Sequence, residues 1–330
     1  MGTSATRRYN GLDWLRVIFT AFVVGMHLNL ISLFSPGDGV CWLDVVGSDL
    51  FCLAVPGFLI ISFFLQIIVK EDAAAFRKRL WRLSALYVFW VSLWTAWTWR
   101  GRSATPLPLG EFLLRGGGWA FYFFTVILLL APLARFAGTL SVRVAAWIAL
   151  CCLLVNFGLL LELRHLDFLW TRLEIYWWPA AFISTPFLAR VLSGSRDGLV
   201  PRQCLGWLCV AYLVGAGIEW GVRAPDSLAG TVRIFLPEYL RIAPMVGAAL
   251  ATALAIGIQR RPPVWVSFLA RNALGIFCLH CFVLRRVVDT VVSLTGLEFK
   301  WASLLAWPVV LFAMAAAAEV ARRLLRERLI

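Results

Sequence analysis

LFCLAVPGFLIISFFLQIIV, residues 50–69, is a run of twenty residues without a charge. At about 1.5 Å of rise per residue, a helix needs about 20 mostly apolar residues to cross the hydrocarbon core of a bilayer. This stretch therefore reads as a membrane helix, and the chain around it has a composition to match. Of 330 residues 61% are hydrophobic and 15% charged, with 17 Trp and 24 Phe, whereas about a quarter of a soluble domain is charged. Such a chain has more apolar surface than soluble cores can hide. The same figures exclude disordered, collagen-like and disulfide-scaffold classes.

Applied outward, the length criterion gives ten spans, near 12–35, 47–69, 82–99, 117–137, 143–163, 170–191, 203–222, 232–258, 264–288 and 301–323. The sixth, eighth and ninth are interrupted or flanked by Arg172, Glu174, Glu238, Arg241 and Arg271. The expected fold is all-α and polytopic, a single membrane-embedded domain over residues 1–330. Loop 35–49 lacks Lys and Arg, whereas Lys70, Arg77, Lys78 and Arg79 precede the third span. Arg7 and Arg8 mark the N-terminus, and Arg322, Arg323, Arg326 and Arg328 the C-terminus. Basic loops stay cytoplasmic, so both termini are expected inside. The first span carries Asp13 and Arg16, is too long for a signal-peptide core and lacks a cleavage site, so an uncleaved signal anchor is expected. The loop around Gly101–Gly116 has room for a short amphipathic segment.

The net charge of +13 comes from 31 basic residues, of which only Lys70, Lys78 and Lys300 are lysines. These charges fall mostly between apolar runs and form no basic stripe with interleaved aromatics, so no nucleic-acid partner is expected. Membrane lipids are. The eight cysteines sit mostly inside apolar runs. Cys278 and Cys281 flank His280 like half a zinc knuckle, but a second ligand pair is missing and no metal is expected.

Ionisable groups inside a membrane helix are expensive and mark function by default. The first span has Asp13, Arg16 and His27. Asp13 and Arg16 are neighbours three apart on a helix surface and can pair. The eleven steps from Arg16 to His27 return to within roughly 20° of one face and rise roughly 16 Å. One stripe thus carries an anion-binding guanidinium near the cytoplasmic edge and an imidazole deeper in. Snorkelling of Arg16 and a backbone bond for His27 are the plainer readings. Arg79 and Arg82, also three apart, suit bidentate phosphate binding; topology and lipid headgroups are the alternative.

The stretch Arg7-Arg8-Tyr9-Asn10-Gly11-Leu12-Asp13-Trp14-Leu15-Arg16, followed by His27, resembles the opening of the acyltransferase 3 family of membrane acyltransferases. Val55-Pro56-Gly57-Phe58-Leu59-Ile60-Ile61-Ser62, Arg79-Leu80-Trp81-Arg82, the segment from Trp119 to Pro132, and Leu274-Gly275-Ile276-Phe277-Cys278-Leu279-His280 resemble further family motifs in family order. Phe63 stands where a Gly is usual, and Phe277 where a Tyr is usual. No esterase-like domain of the kind some members carry is expected, so the membrane domain is expected to complete any transfer.

The resemblance implies transfer of an acyl group, acetyl or succinyl, from cytoplasmic acyl-CoA to a hydroxyl of a cell-envelope glycan or lipid-linked sugar. The family's first-helix Arg and His carry over to Arg16 and His27, and its Arg-x-x-Arg to Arg79 and Arg82. A hydroxyl attacks a thioester slowly unless a base takes its proton, and histidine suits that role. His27 is thus the expected general base, with Asp13 beside it in the catalytic set. Arg16, Arg79 and Arg82 are expected to hold the CoA phosphates.

The oxyanion donor is not named by the sequence; Ser62 and Trp119 are candidates. Trp119, Glu174 and His280 are candidate substrate contacts, Glu174 through its neighbours Tyr176-Trp177-Trp178, which also fit an interfacial aromatic belt. His280 is expected near an external helix end, where packing is as good a reading. Arg241 and Glu238 read as a neutralised pair, and His165 is assigned nothing. Arginine-rich usage hints at a GC-rich bacterial genome, hence a multi-pass protein of the bacterial cytoplasmic membrane. A transporter or flippase of a lipid-linked or acylated envelope component is the alternative, but it predicts an internal repeat, and none is visible.

Overall fold

The structure is a computed structural model that describes residues 9–28, 30, 49–99, 109–114, 121–164, 179–194, 201–228 and 241–329. Among the described residues every regular element is helical, as the composition requires. The helices are α1 (Asn10–His27), α2 (Ala54–Val69), α3 (Ala73–Trp99), α4 (Leu109–Leu114), α5 (Tyr122–Thr139) and α6 (Val142–Arg164). They continue with α7 (Thr185–Ser193), α8 (Arg202–Leu228), α9 (Ile242–Ile256), α10 (Val264–Arg271), α11 (Ala273–Thr295) and α12 (Phe299–Leu329). The short helix α4 falls inside the loop expected to hold one.

Four described helical stretches are long and apolar enough to cross a membrane: Asp49–Val69, Tyr122–Thr139, Val142–Leu159 and Phe299–Leu324. A fifth arises if α10 and α11 count together. That pair corrects the ninth span, expected as one helix over 264–288. The chain bends by 70° between α10 and α11. Asn272 sits at the break, where its side-chain amide donates back to the Phe268 carbonyl at 3.0 Å. An amide that competes for backbone groups disfavours a continuous helix. His280 is the eighth residue of α11, which runs on to Thr295, so it does not stand at the helix end.

By internal packing the chain divides into two compact units. One comprises the described residues within Pro56–Ala216 and Phe235–Ala253. In it α3 and α4 pack on α5, and α7 packs on α5 and α6. Its aromatic core brings Trp90 and Phe121 to 6.2 Å and Tyr87 and Phe124 to 6.3 Å between ring centroids. Buried amides tie the helices together. Gln66 donates to the Ala131 carbonyl at 2.9 Å, and Asn156 to the Ala181 carbonyl at 2.8 Å. Where water is absent, such side chains gain by bonding to a neighbouring helix.

The other unit comprises Tyr9–Val55, Gly217–Ile234 and Leu254–Ile330. Here α1 lies against α10, α11 and α12, and α11 and α12 form a hairpin. Gly296 closes that hairpin at φ +68°, a left-handed cap that glycine adopts without strain. Val24, Leu28, Ile276, Leu284, Ala306 and Val310 are among the residues of the buried core. Polar contacts fix the register of α1. Asn10 donates to the Gln259 carbonyl at 2.9 Å, the Trp307 indole donates to the Ala21 carbonyl at 2.9 Å, and Trp14 meets Trp265 edge-on at 5.8 Å.

Two glycines let these backbones approach. A Cβ at Gly11 would lie 1.9 Å from the Ala255 carbonyl oxygen, and one at Gly275 would lie 2.4 Å from the Ala318 Cβ. The Gly11 clash is with backbone, which cannot swing away. Gly11→Ala is therefore expected to destabilise the protein by about 2 kcal/mol or more, read as a lower melting temperature in detergent. Gly296→Ala keeps the packing and should cost only about 1 kcal/mol through its positive φ. Equal melting temperatures for Gly11→Ala and the wild type would contradict the close approach.

Candidate functional site

The first helix carries the arrangement that its spacing implies. Arg16 and His27 share the uninterrupted helix α1. Arg16 Nη1 donates to Asp13 Oδ1 at 3.3 Å, so the expected pair is present, and both side chains are largely buried. The pairing offsets the cost of holding a guanidinium in apolar surroundings. His27 occupies the last turn of α1 and is exposed, although Val24 and Leu28 beside it are buried.

His280 lies against it. The two imidazole centroids are 5.0 Å apart with an interplanar angle of 44°. His280 itself is fully buried, with Phe277 at 5.8 Å from it. Its Nδ1 lies 3.2 Å from the Ile276 carbonyl. A carbonyl only accepts, so Nδ1 carries the proton and Nε2 is left as an acceptor. The Cys281 Sγ, 3.5 Å from Nε2, is placed to donate its S–H there. His280 is thus held in one orientation from two sides, and it offers a fixed wall to the exposed ring of His27.

Access along α1 is restricted. Thr20 and Val23 lie on the helical stripe between Arg16 and His27, and both are buried. A ligand running along that stripe needs the side chains over these two residues to part.

Arg79 and Arg82 belong to the other unit, in the first turns of α3. Arg79 Nε pairs with Glu71 at 3.1 Å, and Arg82 is exposed. A further guanidinium, which the sequence did not reveal, lies across Phe76 from Arg79. Arg79 and Arg135 of α5 lie 5.6 Å and 5.2 Å from the centroid of the Phe76 ring, and Arg135 also donates to the Asp72 carbonyl at 3.4 Å. Nothing in the chain spacing links residues 76 and 135; only the packing of α3 on α5 does.

A second unanticipated cluster surrounds Glu319 on α12. Arg322 bonds both of its oxygens, at 2.6 and 2.7 Å, and Arg323 Nε donates at 3.1 Å. Arg271 Nε lies at 3.6 Å, and the Asn272 amide donates at 3.3 Å. The carboxylate thereby ties α12 to the bend between α10 and α11.

Trp119, Glu174, His165 and Glu238 lie outside the described residues. Arg241 is fully buried. Among the described residues no group of three or more His, Cys, Asp or Glu side chains suits a metal.

A family model described as an acyltransferase domain matches residues 9–321. No curated protein and no solved structure matches the chain.

The unequal exposure of the two adjacent histidines has a chemical consequence. Diethyl pyrocarbonate, small enough to enter detergent micelles, should carbethoxylate His27 and spare His280, as read by peptide mass spectrometry. Equal labelling of both rings would contradict the geometry.

Proposed function

The chain belongs to the acyltransferase 3 family of membrane acyltransferases, and from that premise we propose that it moves an acetyl or succinyl group from acyl-CoA to a hydroxyl of a cell-envelope glycan or lipid-linked sugar. The acceptor hydroxyl attacks the thioester carbon while His27 takes its proton. The new C–O bond forms, the tetrahedral centre collapses, and the C–S bond breaks. The CoA thiolate leaves and recovers the proton, so the products are an ester and free CoA. His27 works as a base only while neutral, and His280, fixed by the Ile276 carbonyl, restricts where its ring points.

Positioning accounts for the other residues. Arg16, held by Asp13, is proposed to bind CoA phosphate through forked hydrogen bonds, and Arg79 and Arg82 are proposed for the same role on their own unit. Trp119 and Glu174 are proposed to contact the acceptor. The pantetheine arm reaches His27 when the side chains over Thr20 and Val23 move apart, a gating step of the kind that limits many enzymes. The proposed setting is a bacterial cytoplasmic membrane, with ten spans and both termini inside.

The observation that carries this reading is a single one. In a chain of this family, an exposed imidazole stands on the same helix as a carboxylate-paired arginine and against a second, buried histidine.

Transfer of label from acetyl-CoA or succinyl-CoA to envelope glycan in membrane vesicles tests it. His27→Ala should lower kcat by about 10²- to 10⁴-fold with the KM for acyl-CoA little changed and elution on size exclusion unaltered. Normal transfer by folded His27→Ala would sink the assignment. Arg79→Gln with Arg82→Gln should instead raise the KM for acyl-CoA about ten-fold or more, since each lost charged hydrogen bond costs about 1.5–3 kcal/mol. An unchanged KM would remove these two residues from the donor site.

A further inference from the structure

Three arginines converge on Glu319, and the charge does not cancel. Arg271, Arg322 and Arg323 bring three positive charges to one carboxylate, so the cluster keeps a surplus of two. Arg322 is the partner that saturates Glu319, through three hydrogen bonds. Arg271 and Arg323 approach only through Nε, and their side chains are 53% and 73% exposed. That leaves their terminal nitrogens as donors for another acceptor, with the guanidinium stems already fixed in place. The carboxylate is buried, so it acts as an anchor and is not itself presented to a ligand.

The position of the cluster matters as much as its charge. Asn272, which also bonds Glu319, opens the turn into α11, and His280 lies eight residues further along that helix. Eight residues of helix rise roughly 12 Å, of the same order as the separation of Arg16 from His27. The cluster and the histidine pair are thus stacked along one helix of one unit, with the phosphate-binding chemistry at one level and the imidazoles at the other.

We propose that Arg271, Arg322 and Arg323, organised by Glu319, form a phosphate-binding site. A doubly charged phosphate matches the surplus, since a phosphomonoester carries about −1.5 to −2 at neutral pH, and forked guanidiniums bind phosphate oxygens bidentately. Two sources offer phosphate oxygens to such forks: the phosphomonoester of acyl-CoA, which matches both charges and rests on the proposed transfer reaction, and the singly charged phosphodiester of an anionic phospholipid headgroup, which matches one and does not rest on it.

The experiment separates them. The Arg271→Gln/Arg323→Gln variant leaves Arg322 on Glu319, so the buried carboxylate stays paired, and Arg323→Gln alone is the milder second variant should the pair fail to fold. CoA binding is measured by calorimetry on the full chain in nanodiscs of phosphatidylcholine. Retention of phosphatidylglycerol is measured by native mass spectrometry after reconstitution in a mixture of the two lipids. A roughly ten-fold or greater loss of CoA affinity in the variants supports the site with the acyl donor as its occupant. Unchanged CoA affinity with loss of bound phosphatidylglycerol supports the site with lipid as its occupant. Wild type that binds phosphatidylglycerol through these arginines but no CoA at all upholds the site while removing the acyl-CoA reading. Variants that match wild type in both measurements overturn the proposal and leave the cluster as a tie between helices.

Discussion

A titratable side chain in an apolar helix bundle must find a partner or face a polar space, because the cost of leaving it charged and alone exceeds what packing returns. That constraint organises the unit that contains α1. Asp13 and Arg16 satisfy it by pairing with each other. His280 satisfies it by bonding a carbonyl of its own helix. His27 meets it differently, remaining exposed beside a fully buried ring. The packing around these groups serves the same arrangement. Gly11 lets α1 reach the Ala255 backbone, Gly275 lets α11 reach α12, and the Glu319 cluster holds the bend from which α11 begins.

The bend shows how structure and chemistry are coupled. A straight helix over 264–288 would carry residue 280 along a different line. Because the chain turns by 70° at Asn272, α11 sets off on its own axis and brings His280 against His27. A polar residue that breaks a membrane helix is tolerated only where protein satisfies the freed groups. Here the Asn272 side-chain amide donates to the Phe268 carbonyl, and the Glu319 carboxylate accepts from the same amide and holds it there. The energetic burden of an interrupted span is met within the same cluster that concentrates positive charge.

What was legible in the sequence was whatever depends on local spacing. The apolar runs announced helices, the three-residue interval announced the Asp13–Arg16 pair, and the eleven-residue interval placed Arg16 and His27 on one helix. What was not legible depends on tertiary packing. The packing of His27 against His280 joins residues 253 apart, and the flanking of Phe76 by Arg79 and Arg135 joins α3 to α5. Glu319 was hidden for another reason, since a length criterion tolerates a lone carboxylate within an apolar run such as 301–323. The break at residue 272 left a trace in the Arg271-Asn272 pair, but hydropathy outweighs one amide in a window of twenty residues. Family membership rests on motifs distributed over residues 9–321, while the pairing of the histidines rests on the fold alone.

The claim at the centre is that the opening helix presents its imidazole to the reacting thioester. An electron cryo-microscopy map of the protein with a non-transferable acyl-CoA analogue, its thioester sulfur replaced by methylene, addresses that directly. The account predicts the analogue's carbonyl carbon within about 4 Å of the His27 ring, the approach that attack and proton transfer require. An analogue bound with its acyl end on another surface, and His27 turned toward lipid, would contradict it.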